Sequence, residues 1–377
     1  VGISLASDRA YWLAWSQIQG VGSVLLKRLH NHFGSLKAAW QAEGADLLEV
    51  DGIGLNLTSD LLQQRQAIHP DQTLDTFEQQ HPNFWTPADG AYPPLLFEIA
   101  DPPPLLYYRG RTELLNALAT MPSVAIVGTR APSAYGQRWT CRLTQQLVAH
   151  DVIIVSGLAA GIDRWVHQQA LDDDGFTIAV LGTGVDQTYP WSNRALQQRM
   201  AEQGLLLSEH PNGTPPDRAH FPRRNRIIAG LSRAVVVTEA PTRSGALITA
   251  RLANDYGRDV FALPGSLDNP CSQGCLNLIN QGAQMILNER TLIQALGQLP
   301  QLDSAQPSFP AVTPPREENL SPTMQQVLAV ISAEPVKLDY LVAQLPLSTG
   351  EVLSTLMQLE LTGAITQLPG MRYQRCP

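Results

Sequence analysis

The chain has 377 residues, 44% of them hydrophobic and 16% charged, with 28 glycines and 28 prolines. That composition excludes a disordered, collagenous or coiled-coil chain, and the length predicts two to three domains at roughly 150 residues each. A formal net charge of −8 weighs at first against a nucleic-acid partner, because phosphate binding needs a basic patch.

The local distribution of charge points the other way. Between Met121 and Gly297 there are 15 arginines, no lysine and 14 acidic residues, while the whole chain has three lysines, Lys27, Lys37 and Lys337. Two explanations remain open: a compositional bias toward arginine, or a use for planar guanidinium forks, which suit phosphates and bases better than ammonium groups do. No apolar run reaches the roughly 18 residues of a membrane span, and Val1 to Ala10 lacks a signal-peptide core. A soluble, cytoplasmic protein with no membrane partner is expected. Cys141, Cys271, Cys275 and Cys376 are too few for a disulfide scaffold and lack zinc-site spacing, so reduced, structural thiols are expected.

In chain order, Tyr11 to Arg65 reads as short helices with two turns of one pattern, Ile18-Gln19-Gly20-Val21-Gly22 and Val50-Asp51-Gly52-Ile53-Gly54. This is the helix-hairpin-helix pattern, in which glycines admit a phosphate to the next helix N-terminus. Little free positive charge follows either turn (Lys27, Arg28 and His30 after one, Asp60 after the other), which favours packing over binding. From Ala91 to Gly110 the chain is proline-dense and then apolar, an ordered connector ending in a short strand. Next come strand candidates at Val124 to Val127, Val152 to Val155, Ile178 to Leu181, Leu205 to Leu207, Ala234 to Val237 and Val260 to Ala262. Helical runs such as Gln137 to Ala149 and Ala246 to Asp255 lie between them, so a parallel sheet covered on both faces is predicted. Leu299 to Glu318 reads as a flexible, proline-rich linker. Beyond it, helices at Ser321 to Ser332, Lys337 to Gln344 and Thr349 to Thr362 precede a hairpin turning at Pro369-Gly370, the outline of a winged helix. Its third helix carries Glu351 and Glu360 and no lysine or arginine, which disfavours DNA docking.

Ligands of open parallel sheets bind beyond the carboxyl ends of the strands. Here those ends read Gly128-Thr129-Arg130, Ser156-Gly157 through Gly161-Ile162-Asp163, Gly182-Thr183-Gly184 and Glu239 with Ser244-Gly245. Small residues of this kind admit an anion to backbone N–H groups and helix N-termini. The first turn is not G-x-G-x-x-G and the second strand ends in serine, against a dinucleotide; a lysine-free segment has no P-loop. Asp163 and His167, one helical turn apart, suit an acid-base pair less well than a helix cap and a buried histidine. The run Phe221-Pro222-Arg223-Arg224-Asn225-Arg226 sets three guanidiniums, an amide and an aromatic ring before an apolar helix. That is a kit for single-stranded nucleic acid; the competing reading pairs some of these arginines with Asp163, Glu209, Asp217 or Glu239.

Collinear strings from Tyr92 to Ala295 resemble the DNA-processing protein A (DprA/Smf) family. They include Val127-Gly128-Thr129-Arg130, Gly182-Thr183-Gly184-Val185-Asp186 through Tyr189-Pro190, Phe221-Pro222 with Arg224-Asn225-Arg226-Ile227-Ile228, and Gly274-Cys275-Leu276-Asn277-Leu278-Ile279 with Gly282-Ala283. The resemblance implies an α/β fold. An extended Rossmann-like parallel-sheet domain (91–298) is expected between an N-terminal helical, helix-hairpin-helix or SAM-like domain (1–90) and, after a linker (299–319), a C-terminal winged-helix domain (320–377). It implies a non-catalytic protein without cofactor that binds single-stranded DNA, forms homodimers and loads the RecA recombinase during natural transformation. Carried over by position, Gly128, Arg130, Ser156, Gly157, Phe221, Arg224, Asn225, Arg226, Ser244 and Gly245 would line the DNA site. Arg223, at a variable position inside the motif, is a further candidate for the DNA site, and Arg164 and Trp165 depart from the family's small residues. Leu276, Leu278, Ile279 and Met285 form the candidate dimer surface, core burial being the other reading. A second function class is an enzyme resembling the nucleoside-monophosphate phosphoribohydrolases, with Glu239 catalytic, although Pro241-Thr242-Arg243-Ser244-Gly245 lacks their glycine-rich string. A third is a protein-interaction scaffold whose arginines are structural.

Overall fold

The computed structural model describes residues 5–118, 120–297, 321–331, 336–361, 364–368 and 372–375. The chain divides into two compact units, Val1–Leu302 and Asp303–Pro377, and the 299–319 linker expected from sequence lies outside the described residues.

The first unit opens with helices at Leu5–Ser16, Ser23–Phe33, Leu36–Gln41, Gly44–Leu47, Leu55–Gln66 and Pro70–Gln80. Leu25, Leu26 and Leu29 recur at helical spacing along Ser23–Phe33, so one face is apolar and buries against Trp12, Trp15, Leu36, Leu47 and Leu61. The two glycine turns sit where the pattern predicts, with Gly22 and Gly54 as N-caps. Gly20 and Gly52 have φ of 91° and 93°, the region that favours glycine. A side chain at Gly20 would meet Leu57 and one at Gly52 would meet Arg28, so each turn packs on the helix that follows the other. The cations after the first turn are engaged within the protein. Lys27 Nζ donates to the Glu98 and Ile99 carbonyls at 2.8 and 2.6 Å, and Arg28 Nη1 lies 2.9 Å from both the carbonyl and the carboxylate of Asp51.

One sheet follows, built of β1 (Phe84–Trp85), β2 (Leu106–Gly110), β3 (Ser123–Val127), β4 (Ile153–Ser156), β5 (Thr177–Leu181), β6 (Leu205–Ser208), β7 (Ala234–Val237), β8 (Asp259–Ala262) and β9 (Gln284–Met285). Its order is β1-β2-β6-β5-β4-β3-β7-β8-β9. The six predicted parallel strands appear with ends within one residue of expectation. The sheet is nonetheless mixed: β2 runs antiparallel to β6, from Tyr107 opposite Ser208 to Gly110 opposite Leu205, and β1 adds antiparallel to β2. Along the central strands alternate residues feed opposite cores. Ala125 and Val127 of β3 join Val235 and Val237 of β7 on one face, while Val124 and Ile126 join Ala234 and Val236 on the other. Both faces are apolar because helices cover both, as a parallel sheet requires. Helices Ala134–Val148, Ile162–Asp172 and Glu289–Leu296 close one side; His220–Gly230, Gly245–Asp255 and Gln273–Asn280 close the other.

The second unit has helices Pro322–Val330, Leu338–Gln344 and Thr349–Leu361 and a sheet of β10 (Val336–Lys337), β11 (Ile365–Leu368) and β12 (Arg372–Arg375) in the order β10-β12-β11. Val327, Leu328, Leu341, Val352, Leu356, Ile365 and Tyr373 make its core. This is the predicted winged helix with one further strand, β10; the turn at Pro369-Gly370 lies outside the described residues. Among the described residues no helix is long and apolar enough to cross a membrane.

Candidate functional site

The connections reverse direction at β3: the chain proceeds through β4, β5 and β6 on one side and β7, β8 and β9 on the other. A crevice at the carboxyl ends follows from that topology. Arg130 after β3, Gly157, Ala159 and Ala160 after β4, Leu181 to Thr183 at the end of β5, Tyr189, Pro190, Phe221 and Arg224 surround a small hollow of about 50 Å³ there. That volume holds little more than a few waters, so the site is a seat for part of a ligand, with the rest lying along the surface.

Phe221 and Arg224 share the helix His220–Gly230, three positions apart and therefore on neighbouring faces. The Arg224 guanidinium is the floor. Its Nη1 donates to the carbonyl of Gly157 at 2.7 Å and to the carbonyl of Val180, which ties the ends of β4 and β5 together. A side chain at residue 157 would strike that guanidinium, so glycine there is a consequence of close packing. Burial pushes the Arg224 pKa down to about 10 against the opposing pull of Asp163, which leaves it a cation at neutral pH. Asp163 is buried and accepts from the backbone N–H groups of Gly157 and Ala159 at 3.2 and 3.4 Å. Burial raises its pKa, with Arg224 the largest opposing influence.

The walls are aromatic and cationic. Arg130 is exposed and its guanidinium stands 5.5 Å from the Phe221 ring centre; Tyr189 leans on Phe221 as well, with ring centres 5.2 Å and planes 30° apart. Leu158 between Gly157 and Ala159 has φ of 54°, an uncommon value for a branched residue. Full burial and the Asn193 amide hold it there, the amide donating to the Leu158 and Ala159 carbonyls at 2.9 and 3.1 Å. The wall beside the hollow is thus fixed from two directions.

The structure sorts the predicted residues. Arg130, Gly157, Phe221 and Arg224 meet at the hollow. Ser156 is fully buried and its hydroxyl donates to the Ile126 carbonyl, and a side chain at Gly128 would strike Ile162, so both support the sheet end. The Asn225 amide donates to the Gly245 carbonyl at 3.1 Å, and Ser244 caps the helix Gly245–Asp255. Arg226 is not at the hollow: it is buried between Glu209, at 2.6 Å, and Asp101, at 3.2 Å. The side chain of Arg223 is 63% exposed, with Glu209 4.0 Å away. Tyr189 and Asn193 were absent from the expected site, although the string that runs through Tyr189-Pro190 already carried the first of them.

Two expected side chains hold the frame. His167 is fully buried with Nδ1 2.8 Å from Thr177 Oγ1, and burial pushes its pKa down to about 3. It is a neutral core histidine, not half of an acid-base pair. The Glu239 carboxylate accepts from the Ser133 N–H and hydroxyl, both at 2.7 Å, and from the Asn269 amide at 3.0 Å. At 1% exposure it has no face for a substrate.

Residues 83–297, the stretch that builds this sheet and crevice, match the family model of the DNA recombination-mediator protein A, and 311–371 match the DprA winged helix domain. The chain belongs to the DprA/Smf family. Protein Smf of Synechocystis sp. is 48% identical over 98% of this chain and 99% of its own length, and Protein Smf of Escherichia coli is 36% identical over 88% and 89%. Among solved DprA structures, that of Streptococcus pneumoniae covers 78% of this chain and 98% of its own at 36% identity, with a TM-score of 0.64. The DprA of Helicobacter pylori, whose structure concerns a single-stranded DNA binding mode, covers 56% of this chain and 95% of its own at 35% identity and a TM-score of 0.52.

Proposed function

We propose that the protein binds single-stranded DNA at the strand-end crevice, without catalysing a reaction on it, and hands the strand to the RecA recombinase during natural transformation. The carrying observation is the stack of Arg130, Phe221 and Tyr189 over a buried guanidinium. An aromatic face stacks any base, and guanidiniums donate to phosphate oxygens, which is what sequence-tolerant single-strand binding requires. Exposed Arg223 extends the positive surface, while Arg226, Asn225, Ser244, Ser156 and Gly128 act beneath it as supports. The single-strand binding described for the Helicobacter pylori relative supports the same reading.

The working form in this proposal is a cytoplasmic homodimer. Met285 is 47% exposed at the edge strand β9, and Leu276, Leu278 and Ile279 are on the helix before it, Leu278 and Ile279 half-buried. A groove of about 820 Å³ lined in part by Ile248, Leu278 and Gln284 lies beside that edge, and in this proposal a second copy would cover it. Residues 1–90 and 320–377 are proposed to serve as accessory domains. The engaged state of Lys27 and Arg28 supports a packing role for the helix-hairpin-helix turns.

The test is a strand-protection and RecA-assembly experiment. The protein should shield a thymidine oligonucleotide from a single-strand exonuclease and speed RecA assembly on DNA coated with single-strand binding protein. No protection at low salt would overturn the reading; protection without faster RecA assembly would restrict it to DNA binding.

A further inference from the structure

Beyond the hollow, one large aromatic side chain stands in solvent where the wall ends. Trp191 is 69% exposed, although tryptophan is highly buried on average. It follows Pro190, which lines the hollow, and opens the one-turn 3₁₀ segment Trp191–Asn193. That turn is rigid for stated reasons: the Asn193 N–H donates to the Pro190 carbonyl at 2.9 Å, and the Asn193 amide is bonded into the Leu158–Ala159 wall. The guanidinium of exposed Arg194 lies 5.0 Å from the Trp191 ring centre and leaves most of that ring open to solvent.

We infer that Trp191 and Arg194 form a second nucleotide subsite, the indole stacking the base next to the one seated at Phe221 and the guanidinium meeting its phosphate. The inference rests on the proposed single-strand reading and extends it by naming where the strand leaves the hollow. Geometry supports the succession. Tyr189 and Pro190 line the hollow beside Phe221, and Trp191 is the next residue of the chain, so a strand leaving the hollow along this wall meets Trp191 next. A flat ring held on a tied turn loses little freedom on stacking, and a guanidinium against it adds a cation–π contribution.

The test uses the full chain and labelled thymidine oligonucleotides of increasing length. Trp191→Ala should weaken binding of long oligonucleotides about tenfold and Trp191→Phe far less, since stacking tolerates ring type. Arg194→Ala should flatten the plot of log affinity against log salt by about 0.7, one phosphate's share, whereas Trp191→Ala should leave that slope alone. Both positions are exposed, so melting temperatures should stay at the wild-type value. Oligonucleotide binding should also quench tryptophan fluorescence in the wild type and not in Trp191→Phe. Wild-type affinity and undiminished quenching in the Trp191 variants would overturn the subsite while leaving the DNA reading intact. A wild type that binds no single strand would overturn both.

Discussion

The guanidinium of Arg130 faces the ring of Phe221 at 5.5 Å, joining the loop after β3 to the helix His220–Gly230, which packs over β5. Exposed cation and half-buried ring converge on a floor already charged by Arg224. Among the described residues Arg130 has no ion pair. Its charge is therefore available to a ligand, whereas the charge of Arg224 is also a structural tie. The two arginines should fail differently when removed.

Arg130→Ala is expected to cost single-strand affinity and leave stability within about 0.5 kcal/mol of wild type, as exposed substitutions do. Arg224→Ala should cost both, destabilising the fold by about 3 kcal/mol because the buried carbonyls of Gly157 and Val180 lose a charged donor and Asp163 loses its neighbouring cation. Urea unfolding beside binding titrations separates the cases. Equal stability of the two variants would show that Arg224 is not the tie described.

Removing Glu239 tests the enzymatic alternative. Glu239→Ala strands the Ser133 and Asn269 donors and should lower stability by about 2 to 4 kcal/mol. The wild type should release no free base from nucleoside monophosphates. Base release that disappears in Glu239→Gln would restore the catalytic reading.

Acid should weaken the fold through His167. Its pKa is about 3 when folded and ordinarily near 6.5. Above pH 6.5 both states are neutral and the group has no effect. Between 6.5 and about 3 the unfolded chain binds a proton that the folded one refuses, so stability falls with pH, by at most about 1.4 kcal/mol per pH unit. Below 3 the loss levels off. His167→Gln should flatten this part of the stability profile, and an unchanged slope would contradict the assignment.

Much of this was legible in the sequence, and the gaps have physical causes. The central strands announced themselves because helices cover both faces, making runs such as Ala234–Val237 apolar throughout. β1 and β9 have two residues each and show no period at all. Arg223, Arg224 and Arg226 were visible as a charged cluster, but a helix turns them to different neighbours. Glu209, one of the partners the competing reading named, does hold Arg226, whereas its second partner, Asp101, is remote in sequence and went unseen. Trp191 was unreadable for the converse reason: residue type gives the ring, and only the fold leaves it in water.

The dimer surface is open to a direct check. Met285→Glu places a charge at an exposed edge position and should halve the mass measured by light scattering at micromolar concentration without unfolding the chain. A wild type that is already monomeric would overturn the homodimer, and a variant that remains dimeric would move the interface elsewhere.

The most direct test of the DNA pocket is fluorescence anisotropy of a labelled thymidine oligonucleotide beside its matching duplex, across several salt concentrations, with wild type and Arg130→Ala. Preferred single-strand binding is expected, with log affinity falling against log salt by about 0.7 for each neutralised phosphate, and a loss of about tenfold in the variant. Equal affinity of wild type and Arg130→Ala, or no preference for the single strand, would contradict it.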